Sequence, residues 1–355
     1  ARARFNLVAT TIPGTVTIPA GDSLVVVGGA INSPVVNDGL LIAQGTVTLG
    51  GALSNPGTLR VRGSAAYGTG ALTVTNGFTN AGAIELTNID GGYIATLTVT
   101  TGTLVNGATG TITAVAGLGG TRTITAAVLE NLGVITLNAA TTLSAVLDQR
   151  STLTVAAALT LARADAAHVN SGTIAVTSLG TLTVTQTGTS PSFTNAAAGT
   201  ITLAASRLFN VSGGTLDLTT GLLDGPMGTL ATNGTTLLYT MATARARFSL
   251  VATTIPGTVT IPSGDSLVVV GGSIDSPIVN NGLLLTQGTV TLGGALSNTN
   301  TGTLRVRGSS TYGTAALTVT TGFTNAGAIE FTNIDGGYVA NLTVTTGTLT
   351  NAPGG

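Results

Sequence analysis

The sequence predicts an all-β fold, a parallel β-solenoid of about 16 coils with about 22 residues in each. Three observations lead there. An Asn followed within a few residues by a Gly recurs down the chain. Between these signatures lie short runs in which Thr alternates with aliphatic residues. The composition is 43 % hydrophobic but only 3 % aromatic and 7 % charged, which suits a narrow aliphatic core better than a broad aromatic one.

The signature occurs at Asn37-Asp38-Gly39, Asn55-Pro56-Gly57, Asn80-Ala81-Gly82, Asn106 to Gly110, Asn131-Leu132-Gly133, Asn170-Ser171-Gly172 and Asn195 to Gly199, and again at Asn325-Ala326-Gly327. Successive Asn in the first series are 18, 25, 26, 25, 39 and 25 residues apart. The interval of 39 fits two coils with an unmarked turn near Gln149 to Thr152. Gly and Asn tolerate positive φ, so these positions are expected to form sharp corners.

Between corners the text is strand text: Thr46-Val47-Thr48, Thr73-Val74-Thr75, Thr98-Val99-Thr100, Thr123-Ile124-Thr125 and Thr181-Leu182-Thr183. Alternation of polar and apolar β-branched residues is the period-two pattern of a half-buried strand. Only Ala126 to Asn131 and Ala156 to Ala167 have any helical flavour. Counted from each Asn, the same side-chain class returns at the same phase: Leu41, Leu59, Ile84, Ile135 and Ile174, with Ile112 and Ile201 where the turn is longer. Stacked coils would convert this into an aliphatic ladder.

A longer repeat encloses the short one. The opening ARARFNLVATTIPGTVTIP returns at residue 244 as ARARFSLVATTIPGTVTIP, and the match continues to the end of the chain. Phe5 corresponds to Phe248, and Tyr67 to Tyr312 after a two-residue insertion at Thr299-Asn300. The expected organisation is a first long unit over 1–243, about 11 coils, and a partial second copy over 244–355. The two are expected to continue as one solenoid rod, a slice of a longer tandem array. The ladder recurs in the second copy as Leu284, Leu304 and Ile329.

The phrases GFTNAGAIELTN, LVNGATGTIT, LENLGVITLN and HVNSGTIAVTS resemble the Asn-x-Gly-x-Ile/Leu repeats of large secreted bacterial β-helix proteins. Those include autotransporter passengers and haemagglutinin-like adhesins. The resemblance covers most of residues 35–235 and again 278–351. It implies a secreted or cell-surface protein, long, fibrous and often adhesive. The close match between the two copies favours a repetitive fibre.

Several classes are excluded on composition. The chain has no Cys, which removes disulfide scaffolds, thiolate metal sites and a cysteine nucleophile. A net charge of −1, with 12 Arg and no Lys, is not the basic footprint of a nucleic-acid binder. No apolar run is long enough for a membrane-spanning helix, and low charge with high apolar content is not the signature of disorder.

Chemistry-bearing residues are sparse. His168 is the single histidine, and it reads as a corner or surface residue. The acidic candidates are Asp148 with Arg150, Arg163 with Asp165, and Asp217 with Asp224. The first two pairs fall in strand text, where i and i+2 share a face and ion pairing suffices. Asp90 and Asp335 each lie in one Asn-Ile-Asp-Gly-Gly-Tyr turn, too isolated for a calcium-binding array. No catalytic residue, metal site or cofactor is expected.

Four Arg-x-Arg pairs stand out: Arg2/Arg4, Arg60/Arg62, Arg245/Arg247 and Arg305/Arg307. Arg60 and Glu85 occupy the same phase in consecutive coils, as do Arg305 and Glu330, so each pair is expected to touch and to fix register. The pairs near 1 and 244 could face a neighbouring chain.

The leading functional expectation is a non-enzymatic structural protein of an extracellular fibre, sheath or matrix filament, extended by self-association. An adhesin stalk holding a binding tip is the alternative, with surface glycans as partners. A third reading is an ice-binding or carbohydrate-active β-helix. Thr-x-Thr text suits ice, but coil lengths that wander between 18 and 26 residues are expected to break a regular lattice.

Overall fold

A computed structural model describes residues 4–7, 12–177, 179–353 and 355, without the side chain of Arg4. Arg2 lies outside the described residues. The described residues form strands and turns with no helix, in a parallel β-solenoid of about 16 turns with about 22 residues per turn. The stretches with helical flavour are extended: residues 126–131 lie in the strand Arg122–Asn131, and Ala158–Leu161 is a strand between turns.

The chain packs as two compact units. Unit 1 comprises Ala1–Gly188 and Phe193–Thr202, and unit 2 comprises Thr189–Ser192 and Leu203–Gly355. The start of the second sequence copy falls inside unit 2, where Leu222–Asn233 pairs in parallel with Ala244–Val251.

Each coil of unit 1 contributes three strand segments, and each segment pairs in parallel with its counterpart in the neighbouring coil. One stack follows the Asn corners: Thr58–Gly63, Ala83–Asn88, Thr111–Ala114, Val134–Leu137 and Thr152–Val155. The other two are the halves of long bent strands such as Ala95–Asn106 and Arg122–Asn131, whose register shifts between Thr98 and Thr103. After Thr141–Gln149 the halves separate into Ala158–Leu161 and Ala167–Asn170.

Strict alternation puts every second side chain inward. Leu41, Leu59, Ile84, Ile112 and Ile135 lie in register along one stack, each 3 % exposed or less. The ladder continues through Leu153, the member belonging to the unmarked turn, to Ile174; Ile201 is likewise buried. In unit 2, Leu284, Leu304 and Ile329 are in register. Leu284 and Leu304 are buried, whereas Ile329 is half-buried. Among Ile124, Leu129, Leu143, Leu153 and their neighbours the remaining space is about 10 Å³, at the lower limit for one water. The bore is dry.

The corner glycines serve a different purpose from the one their φ freedom suggests. Gly39, Gly57, Gly82, Gly133, Gly172 and Gly327 all sit outside the left-handed region. What they provide is clearance. A Cβ on Gly82 would fall on the carbonyl oxygen of Gly57, and one on Gly57 on the carbonyl of Gly39. Positive φ is used instead at the mid-strand bend, as at Gly102 (φ 83°), where the register shifts between Thr101 and Leu104. Replacing Gly82 by Ala should therefore destabilise the protein by about 1–3 kcal/mol through overpacking against backbone. Urea denaturation measures this, and a loss below about 0.5 kcal/mol, the range of a neutral surface change, would overturn the clearance argument.

Candidate functional site

The feature that the fold builds most consistently is a file of buried side-chain amides at the corner. Asn37, Asn55, Asn80, Asn106, Asn131, Gln149, Asn170 and Asn195 are each 0–1 % exposed. They are the inward residues that close each coil, so strand pairing sets them one above another, as with Asn80, Asn106 and Asn131.

Each Nδ2 carries two hydrogens and uses them in two directions. One goes to the Oδ1 of the next coil: Asn37 to Asn55 at 2.6 Å, Asn55 to Asn80 at 2.7 Å, Asn80 to Asn106 at 2.9 Å and Asn106 to Asn131 at 2.8 Å. The other goes to the backbone carbonyl that opens the following strand: Thr58, Ala83, Thr111 and Val134 in turn. The amide thus bonds the corner of one coil to both the corner and the strand of the next. Unit 2 has the same device, with Asn280 to Asn298 at 2.7 Å, Asn298 to Asn325 at 2.6 Å and Asn325 to Asn351 at 2.7 Å.

Two irregularities show what the file requires. Ile18 occupies the place before Asn37 and offers no donor, so Asn37 Oδ1 is buried without a partner. Gln149 accepts from Asn131 at 2.9 Å and donates to Thr173 O at 3.3 Å. Its extra methylene displaces the amide, and Asn170 Oδ1 is left unpartnered.

The charged candidates are engaged in fastening. Arg60 Nε donates to Glu85 Oε2 at 2.6 Å, and Arg305 Nε to Glu330 Oε2 at 2.6 Å, all four side chains about one-third exposed. Such pairs contribute about 0–1 kcal/mol and act on register. Arg150 bridges Asp148 at 2.6 Å and Glu130 at 3.4 Å. Arg163 and Asp165 lie in the turn before Ala167–Asn170 rather than in a strand, and Arg163 donates to Ala126 O at 3.0 Å. Asp217 accepts from Thr219, while Asp224 lies in register with Arg245. Asp90 and Asp335 cap the preceding coil by accepting from the backbone N–H of Ala65 and of Ser310. Among the described residues no group of three His, Asp or Glu is arranged to hold a metal ion.

His168 is not a surface residue. It is 1 % exposed, points into the bore beside Phe193, and its Nδ1 accepts from the backbone N–H of Leu147 at 3.0 Å. Burial, with a smaller contribution from the Arg163 charge, pushes its pKa down to about 4.

Arg122 is the residue that pattern reading passed over. It is completely buried, and its guanidinium is met only by backbone carbonyls: Leu86, Tyr93, Val115 and the Gly119 to Thr121 turn. Asn88 ties the same turn, donating to Gly119 O at 2.6 Å and accepting from Leu118 N at 3.2 Å. The available signal was phase: Arg122 stands two residues before the inward Ile124.

Two stability outcomes follow. Asn106→Leu removes the amide bonds to Asn80 and Asn131 and those to Gly110 O and Val134 O, and orphans the buried Asn131 acceptor, an expected loss of about 2–4 kcal/mol. Gln149→Asn returns an amide to the depth of the file and should gain about 1 kcal/mol. Equilibrium denaturation of both variants reads the two signs. His168 gives a pH dependence. Its folded pKa of about 4 lies below the unfolded value of about 6.5, so the unfolded chain takes up the proton first. Stability is full above about pH 6.5 and falls by roughly 3 kcal/mol down to about pH 4. His168→Gln should remove that slope.

No protein-family model, no curated protein and no solved structure matches the chain at a significant level.

Proposed function

We propose that this chain is a non-enzymatic structural protein, a segment of an extracellular or cell-surface fibre, sheath or matrix filament built from tandem solenoid repeats. One observation carries the reading: the second sequence copy rebuilds the contacts of the first. Asn280 bonds Asn298 as Asn37 bonds Asn55. Arg305 meets Glu330 as Arg60 meets Glu85, and Gln287 reaches Ser309 as Gln44 reaches Ser64. A repeat that folds the same way in two places adds length without new rules, which is the logic of a solenoid array.

The amide file adds a direction. Donors face one neighbour and acceptors the other, so like coils stack head to tail, and a head-to-tail contact that does not close produces a filament. Wherever such an array ends in an uncapped coil, its unpaired strand edges would supply the backbone groups for self-association.

Electron microscopy and fibre diffraction of the purified protein test the proposal. The expected result is uniform filaments with a meridional spacing near 4.8 Å. Dispersed monomeric particles at high concentration would overturn the fibre and leave a display stalk as the better reading.

A further inference from the structure

Two columns of hydroxyls run side by side on the outer surface of unit 1. The first runs from Thr46 by way of Thr96, Thr123, Thr142 and Thr160 to Thr183, with Ala71 as its gap. The second lies two residues further along each strand, from Thr48 through Thr73, Thr98 and Thr125 to Ser144. The residues between them, such as Leu72, Leu97 and Ile124, point inward and are buried.

Coil length does not disturb the columns. Neighbouring members are separated by 18 residues between Thr142 and Thr160 and by 27 between Thr96 and Thr123, yet each pair is in register. The extra residues are absorbed at the turns and at the mid-strand bend, where the register shifts after Thr98 and after Thr125. The expectation that wandering coil lengths break a regular lattice is therefore corrected for this face.

Three further properties define the surface. Among the described residues, no column hydroxyl bonds to another protein group. No charged residue stands in either column. Thr is β-branched and stiff at χ1, so its hydroxyl and methyl are held in place with little entropy left to lose. The result is a net of free hydroxyls spaced about 4.8 Å along the stack and about 6.6 Å across it, over six steps or about 29 Å. Unit 2 carries a shorter version in Thr291, Thr318 and Thr343.

We propose that this face binds crystalline water, an exposed prism plane of ice. Rows of oxygen atoms on such planes also repeat in a rectangular net, whose short spacing lies close to that between coils. Waters bonded to successive hydroxyls are already near lattice positions, and the intervening methyls offer them no competing partner. A charged or flexible surface would hold its own hydration shell instead. The inference does not rest on the fibre, because it needs no self-association.

The test is capture of the full chain by slowly growing ice, together with microscopy of ice-crystal shape. The wild-type chain is expected to be taken up and to facet the crystals. The double variant Thr98→Tyr, Thr123→Tyr should lose more than half of that capture. The double variant Thr136→Tyr, Thr154→Tyr, on the neighbouring outward face where the two are in register, should retain it. Thermal unfolding checks that each variant is folded. If the first pair unfolds, Thr98→Ser with Thr123→Ser keeps the hydroxyls but frees χ1, and should still weaken capture. Rejection of the wild-type chain by ice would overturn the proposal, as would equal behaviour of the two tyrosine variants. Rejection by ice with retention on crystalline chitin or cellulose would overturn it in favour of a carbohydrate-binding face.

Discussion

The rest of this structure depends on one constraint: a polar amide buried at every corner must find a partner in the next coil. An unpaired buried amide costs about 1–3 kcal/mol, comparable to the contribution of a whole core side chain. Coils can therefore stack only in the phase that lines up Asn80, Asn106 and Asn131. Once those are aligned, the period-two alternation of each strand places the aliphatic ladder inward and the threonines outward. Low local dielectric strengthens the bonds in such a file and raises the cost of a break. That is why the displaced amide of Gln149 leaves a visible trace at Asn170.

The glycines after the corner follow from the same stacking. Coils one strand spacing apart bring their backbones into contact at the tightest point, and Gly57 and Gly82 leave no room for a Cβ. Length differences between coils are handled partly at the corner, where Asn106 to Gly110 and Asn195 to Gly199 are two residues longer than Asn80 to Gly82, and partly in other turns. The Gly119 to Thr121 turn, for example, is held by Asn88 and Arg122 through backbone groups. A guanidinium buried without a carboxylate keeps its charge at a cost in desolvation, visible as a lowered pKa. Its several carbonyl partners offset that cost and fix the turn.

Charge elsewhere is sparse and is spent on register. Arg60 with Glu85 and Arg150 with Asp148 and Glu130 link groups on the outer surface, where they contribute little stability but disfavour slipped pairings. Thr makes up much of the outward strand face, which leaves few flexible side chains there to order when another surface approaches.

The sequence alone determined the class of fold, the coil period and the phase of the ladder. Each of these is a local pattern repeated often enough to survive irregular spacing: Asn-x-Gly corners, Thr-x-Thr strands and one aliphatic position per coil. The same phase argument located the Arg60–Glu85 and Arg305–Glu330 neighbours and the hidden coil near Gln149. Tertiary structure decided what a one-dimensional pattern does not contain. Whether His168 and Arg122 point in or out depends on a pairing register that a single residue does not announce. The purpose of the corner glycines is set by a backbone roughly twenty residues away in sequence and one strand away in space. The threonine columns became legible only when the stack showed that turns and mid-strand bends absorb the differences in coil length.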